Sequence, residues 1–124
     1  MNVVDSSGWL EYFADGGNAD FFAPAIEDTK SLLVPVICLY EVFKKILQQS
    51  GINEAQVHVS DMKQGKIIEL DESLALSAAK LSADLKLPMA DSLILATARA
   101  NDAVLWTQDE HFKDLDGVKY IEKK

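Results

Sequence analysis

The chain has 124 residues, a length that suits one domain, and at 48% apolar and 26% charged it can bury a real core. It has no apolar run near the ~20 residues of a membrane span, and its one cysteine, Cys38, excludes a disulfide framework. A net charge of −8 lacks the basic footprint of an ordinary nucleic-acid binder, but it leaves room for a cation site rich in acids.

The opening MNVV is strand-like, with no basic n-region or long h-region, so the expected compartment is the reducing cytoplasm. Residues 7–15 carry Trp9, Tyr12 and Phe13 at helical spacing, and Asp5, Ser6 or Ser7 can cap that helix. GGN at 16–18 is a break, with Asn18 as cap of a second helix through Glu27. SLLVP at 31–35 predicts a short buried strand. Helical spacing returns from Val36 to Gln49 and is closed by Ser50 and Gly51. A further helix is predicted over 53–64, broken at Gly65, and a strand over 66–70.

Asp71 caps the next helix, whose predicted apolar side is Leu74, Leu76, Ala78, Leu81 and Leu85. Pro88 cannot continue that helix but suits the first turn of another, over 88–101. AVLWT at 103–107 and VKYIE at 118–122 predict the last strands, the final one at an edge. Strands alternating with helices predict one α/β domain over 1–124, a central parallel sheet flanked by helices in three layers. In such sheets the binding crevice lies outside the C-terminal ends of the strands. Asp5 follows the first strand, and Asp109 follows AVLWT by two residues, so both fall on that edge.

Two more acids sit on helices. Glu41, in PVICLYEVFKKIL, shares a face with Ile37 and Cys38 and is followed by Lys44 and Lys45. The plain reading of that spacing is an exposed Glu–Lys pair worth ~0.3–0.5 kcal/mol. Asp91, in LPMADSLILATARA, points to the side of Ile94, Leu95 and Ala98, where a lone carboxylate is costly unless paired or metal-bound. Its plain reading is a first-turn acid that favours the helix dipole. Asp109 alone reads as a turn residue, and Asp114 and Asp116 as loop acids nearby. Four converging carboxylates would repel one another strongly in a cleft, and a hard cation such as Mg²⁺ or Mn²⁺ relieves that repulsion.

Cys38, His58 and His111 have no zinc spacing. Cys38 reads as a small apolar packer, His58 as a surface helix residue, and Trp9 and Trp106 as core. His111, two residues past Asp109, takes the plain reading of a residue with no special role, and a place at the site edge is the lesser alternative.

The segments VVDSSGWLEYF, PVICLYEVFKKI, LPMADSLILATARANDAVLWTQD and DEHFKDLDGVKYI resemble, in order and over the whole length, the PIN domains, and within them the VapC-type toxins of toxin–antitoxin pairs. The resemblance implies a parallel α/β sandwich and a metal-dependent endoribonuclease neutralised by a cognate antitoxin. Asp5, Glu41, Asp91 and Asp109 match the acidic metal-site positions, of which the fourth varies most in the family. Ser7 matches a small hydroxyl residue at the site edge. The resemblance further implies RNA as substrate, Mg²⁺ or Mn²⁺ as cofactor, a homodimer, and products with a 5′-phosphate and a 3′-hydroxyl. Lys44, Lys45 and Arg99, the only arginine, are the candidates for RNA contact.

Two alternatives stay open on sequence. A receiver-type phosphoacceptor domain has similar length and a Mg²⁺-binding acid cluster, although Asp5 here is followed by serines rather than a second acid. A PIN fold that has lost catalysis would serve only as a binding module.

Overall fold

Val3 and Val4 point to opposite faces of their strand, and neither has exposed surface. The sheet is therefore covered on both sides, as a parallel sheet must be. The computed structural model, which describes residues 1–124, builds it from β1 (Asn2–Val4), β2 (Leu32–Pro35), β3 (Lys66–Ile68), β4 (Val104–Thr107) and β5 (Val118–Tyr120). Helices α1 (Ser6–Phe13) and α2 (Ala19–Glu27) join β1 to β2, and α3 (Val36–Ser50) and α4 (Ile52–Met62) join β2 to β3. Helices α5 (Glu72–Leu85) and α6 (Met89–Ala100) lead to β4.

All four pairings are parallel, and the spatial order is β3-β2-β1-β4-β5. The chain moves outward from β1 through β3, then returns to the other side of β1 with β4. The switch point therefore falls between β1 and β4, whose registers match Asn2 to Val104 and Val4 to Trp106. That is where an open α/β sheet leaves a crevice for ligand. A receiver domain has the order 2-1-3-4-5, so this topology excludes that alternative.

The core holds Val3, Val4, Trp9, Phe22, Leu32, Val34, Ile94, Leu105 and Phe112, all essentially without exposed surface. Gly8 is needed where α1 crosses this core. A Cβ there would stand 2.7 Å from both Phe22 Cε1 and Val4 Cγ1.

The predicted elements are all present, with ends shifted by one or two residues. The predicted apolar side of α5 is corrected, because only Ala78 is buried, against Leu93 and Ala96 of α6. Leu74 and Leu81 are partly buried beside it, while Leu76, out of phase by two residues, is 66% exposed. Leu85, the last residue of the helix, is 38% exposed. Asn18 precedes α2 but makes no capping bond. Its amide nitrogen instead donates to Gln108 Oε1 and to the Glu122 carbonyl, which ties the start of α2 to the end of β4 and the C-terminal segment.

Cys38 packs in the core as expected, and burial pushes its thiol well above the usual range. His58 is not a free surface residue: its ring lies 4.2 Å from that of Phe13. Trp106 is only partly buried, with Phe21 on its ring and Lys119 Nζ 4.4 Å above it.

Candidate metal centre

Each acid reaches the crevice for a local reason. β1 ends at Val4, and Asp5 then leaves the sheet to cap α1. Its Oδ1 accepts from the Gly8 N–H at 2.9 Å, so the helix-capping role is real. The same carboxylate accepts from Ser7 Oγ and, through Oδ2, from Thr107 Oγ1 at 2.6 Å. Thr107 is the last residue of β4, so β1 and β4 are joined across the switch point by a buried hydroxyl. That hydroxyl also accepts from the Asp109 N–H at 2.9 Å, which fixes the turn carrying Asp109. Pro35 and Pro88 precede α3 and α6, with φ near −60° already set for entry into a helix. These starts put Glu41 in the second turn of α3 and Asp91 in the first turn of α6.

Asp5, Glu41, Asp91 and Asp109 line one cleft of about 300 Å³, together with Ser6, Ser7 and Lys45. At its edge, donor atoms of Asp91, Asp109 and His111 lie within 4.8 Å of one another, with His111 in an adjoining groove that shares Asp109. Asp5 and Glu41 complete the wall but stand outside that tighter group. Glu41 makes no ion pair with Lys44 or Lys45, contrary to the plain reading. Its Oε1 accepts from Ser6 Oγ at 2.7 Å instead. His111, outside that lining, brings Nδ1 to 2.7 Å from Asp91 Oδ2.

Asp5 has 2% of its surface exposed, and burial pushes its carboxyl up to about 6 against the lowering effect of the Thr107, Gly8 and Ser7 bonds. Asp91 is also raised, again chiefly by burial, with its His111 bond opposing. Repulsion from Asp109 adds to both, so the repulsion expected from sequence is present but ranks below desolvation. The bond to Asp91 in turn holds the His111 imidazole above its usual value.

This donor set fits a divalent cation. It offers carboxylate oxygens and one imidazole nitrogen on an open face, while the buried Asp5 charge lacks a cationic partner. Lys45 is exposed at the rim, and Lys44 turns away to stand 5.8 Å over the Tyr40 ring. Arg99 lies at the far end of α6, roughly 12 Å along the axis from Asp91, with its guanidinium near the Asp116 carbonyl. Asp114 and Asp116 are exposed loop acids outside the cleft lining.

The PIN domain family profile matches residues 3–118. The chain belongs to the PIN domain family. This PIN domain is similar in fold to a toxin–antitoxin complex from Klebsiella pneumoniae, with 21% identity and a TM-score of 0.79 over 96% of each chain. DNA-bound VapBC from Salmonella typhimurium shares 14% identity at a TM-score of 0.75 over 98% of each chain. VapC20 of Mycobacterium tuberculosis, a sarcin–ricin loop cleaving toxin, shares 12% at 0.68, covering 83% of this chain and 85% of its own. No curated protein matches this PIN domain in sequence.

The sequence reading does not foresee the bonds that Ser6, Thr107 and His111 make to these acids. Ser6 was weighed only as a cap. Thr107 ends a buried strand, and nothing in AVLWT marks its hydroxyl as the link between two strand ends. The spacing of Asp109 and His111 was the one available signal, since both belong to one tight turn.

Proposed function

We propose that this PIN domain is a metal-dependent endoribonuclease and the toxin of a toxin–antitoxin pair. The observation that carries the reading is the convergence of Asp5, Glu41, Asp91 and Asp109 on one cleft at the switch point of the sheet. The structural neighbours described as toxin–antitoxin assemblies, and the one described as cleaving the sarcin–ricin loop, support the same reading.

When bound, Mg²⁺ or Mn²⁺ supplies Lewis-acid charge that activates water and offsets charge on the phosphodiester. The chain's own residues do the rest. Asp5 presents a fixed carboxylate, locked by three donors, so it needs no reorganisation when charge arrives. Asp91, half-buried against His111, takes the proton of the attacking water. Ser6 and Ser7 orient Glu41 and Asp5 from the α1 side. Lys45 at the rim meets the RNA backbone, with Lys44 and Arg99 as outlying cationic contacts.

The presence of all four acids favours an active enzyme over a fold kept only for binding. A homodimer, an antitoxin segment over the cleft and a cytoplasmic location complete the proposal. The test is incubation of the purified protein with a long RNA in Mn²⁺ and in EDTA. Internal cuts with ligatable 5′-phosphates, abolished by EDTA, are expected. Cuts that survive EDTA, or none in any divalent metal, refute the reading. A monomeric mass at micromolar concentration refutes the dimer.

A further inference from the structure

His111 is more than half exposed and lies beside the cleft, yet its ring stands against two of the cleft's carboxylates. Nδ1 stands 2.7 Å from Asp91 Oδ2 and 3.3 Å from Asp109 Oδ1. We propose that His111 is a direct nitrogen ligand of the cation held in this cleft, and that it biases the site toward Mn²⁺ over Mg²⁺. This rests on the metal-dependent reading above and adds which atom meets the ion and which ion is preferred.

Three features carry the assignment. Neighbouring donors of an octahedral ion with bonds of ~2.1 Å stand ~3.0 Å apart. The two separations from Nδ1 fall on either side of that spacing. The turn is also rigid, because the His111 backbone N–H donates to Asp109 Oδ1 at 2.9 Å and the following Phe112 is fully buried. Ring and carboxylate are therefore held together rather than brought together by the ion. Finally, Nε2 has no protein partner, so it can carry the ring proton toward solvent while Nδ1 is free to ligate. Without a cation, Nδ1–H donates to Asp91. On binding, the proton in that bond passes to solvent, the ring keeps a single proton on Nε2, and the Nδ1 lone pair faces the ion.

The consequence is a choice of metal. Mg²⁺ prefers oxygen donors, whereas an imidazole adds affinity for first-row transition ions. A histidine that only caps the Asp91 charge would show no such preference.

The experiment is a titration of Mn²⁺ and Mg²⁺ into the wild-type chain, His111→Gln and His111→Asp, with pulsed electron paramagnetic resonance on the Mn²⁺ complexes. Nitrogen modulation is expected from the wild type and not from His111→Gln. Mn²⁺ affinity should fall on the order of tenfold in His111→Gln, with Mg²⁺ affinity nearly unchanged. His111→Asp should bind Mg²⁺ at least as well as the wild type. Bound Mn²⁺ without a nitrogen signal, a signal that persists in His111→Gln, or equal losses for both ions overturns the proposal and leaves an all-oxygen nuclease site standing. No Mn²⁺ binding by the wild type overturns both.

Discussion

Raising the pH from 4.5 to 7.5 should destabilise the metal-free protein, and Asp5 sets the size of the effect. Its carboxyl moves from the usual 3.8 to about 6 on folding. Folded Asp5 therefore holds its proton where the unfolded chain has lost it, and stability falls as pH rises through that window. A shift of about two units at 1.36 kcal/mol each gives about 3 kcal/mol in all, of which about 2 kcal/mol is lost between pH 4.5 and 7.5. No discount for solvent applies, since Asp5 is 2% exposed. For a chain of this length that loss corresponds to roughly 7 °C in Tm.

The other shifted groups act in the same direction. Asp91 is raised, so its ionisation also costs stability as pH rises. His111 is raised by its bond to Asp91, and the stability its cation contributes disappears as pH climbs through its folded value. The assay is a series of circular dichroism melts in EDTA, repeated with Asp5→Asn. The wild type should lose Tm across the window, the variant should lose less, and excess Mn²⁺ should reverse the trend by replacing protons. A metal-free Tm that rises steadily from pH 4.5 to 7, or an unchanged slope in Asp5→Asn, refutes the reasoning.

Thr107→Val keeps the shape but removes the 2.6 Å donor to Asp5, and should cost about 1–3 kcal/mol at pH 7, read from urea melts. Gly8→Ala forces a methyl to within 2.7 Å of Phe22 and Val4, and should lower stability by about 1–3 kcal/mol in the same measurement. Asp91→Asn should raise the metal-free Tm by removing a half-buried charge and reduce the shift produced by Mn²⁺, both read by calorimetric scanning.

The fold was legible because its signals are local and repeated. Val3, Val4 and the Leu32–Val34 run read as buried strands, Asp71 as a cap, and Pro88 as a helix start; each does what its chemistry requires. Leu76 misled because a short apolar-rich stretch fits more than one helical phase, and only packing on α6 selects one. The four acids could be placed by strand ends and helix starts. What sat between them could not, because the bonds from Ser6 to Glu41 and from Thr107 to Asp5 join residues 35 and 102 positions apart. Hydroxyl side chains are common at strand ends and caps, so nothing local separates these two from the rest. His111 was within reach, since it shares a turn with Asp109, but its bond to Asp91 depends on how α6 meets that turn.

The most direct measurement is single-turnover cleavage of a defined RNA in saturating Mn²⁺, comparing the wild type with Asp91→Asn after calorimetry has verified that the variant is folded. The account predicts that the wild type cuts internally and that Asp91→Asn loses on the order of a thousandfold or more in rate. Cleavage by folded Asp91→Asn at the wild-type rate would contradict it, because the reaction would then have to occur somewhere other than this cleft.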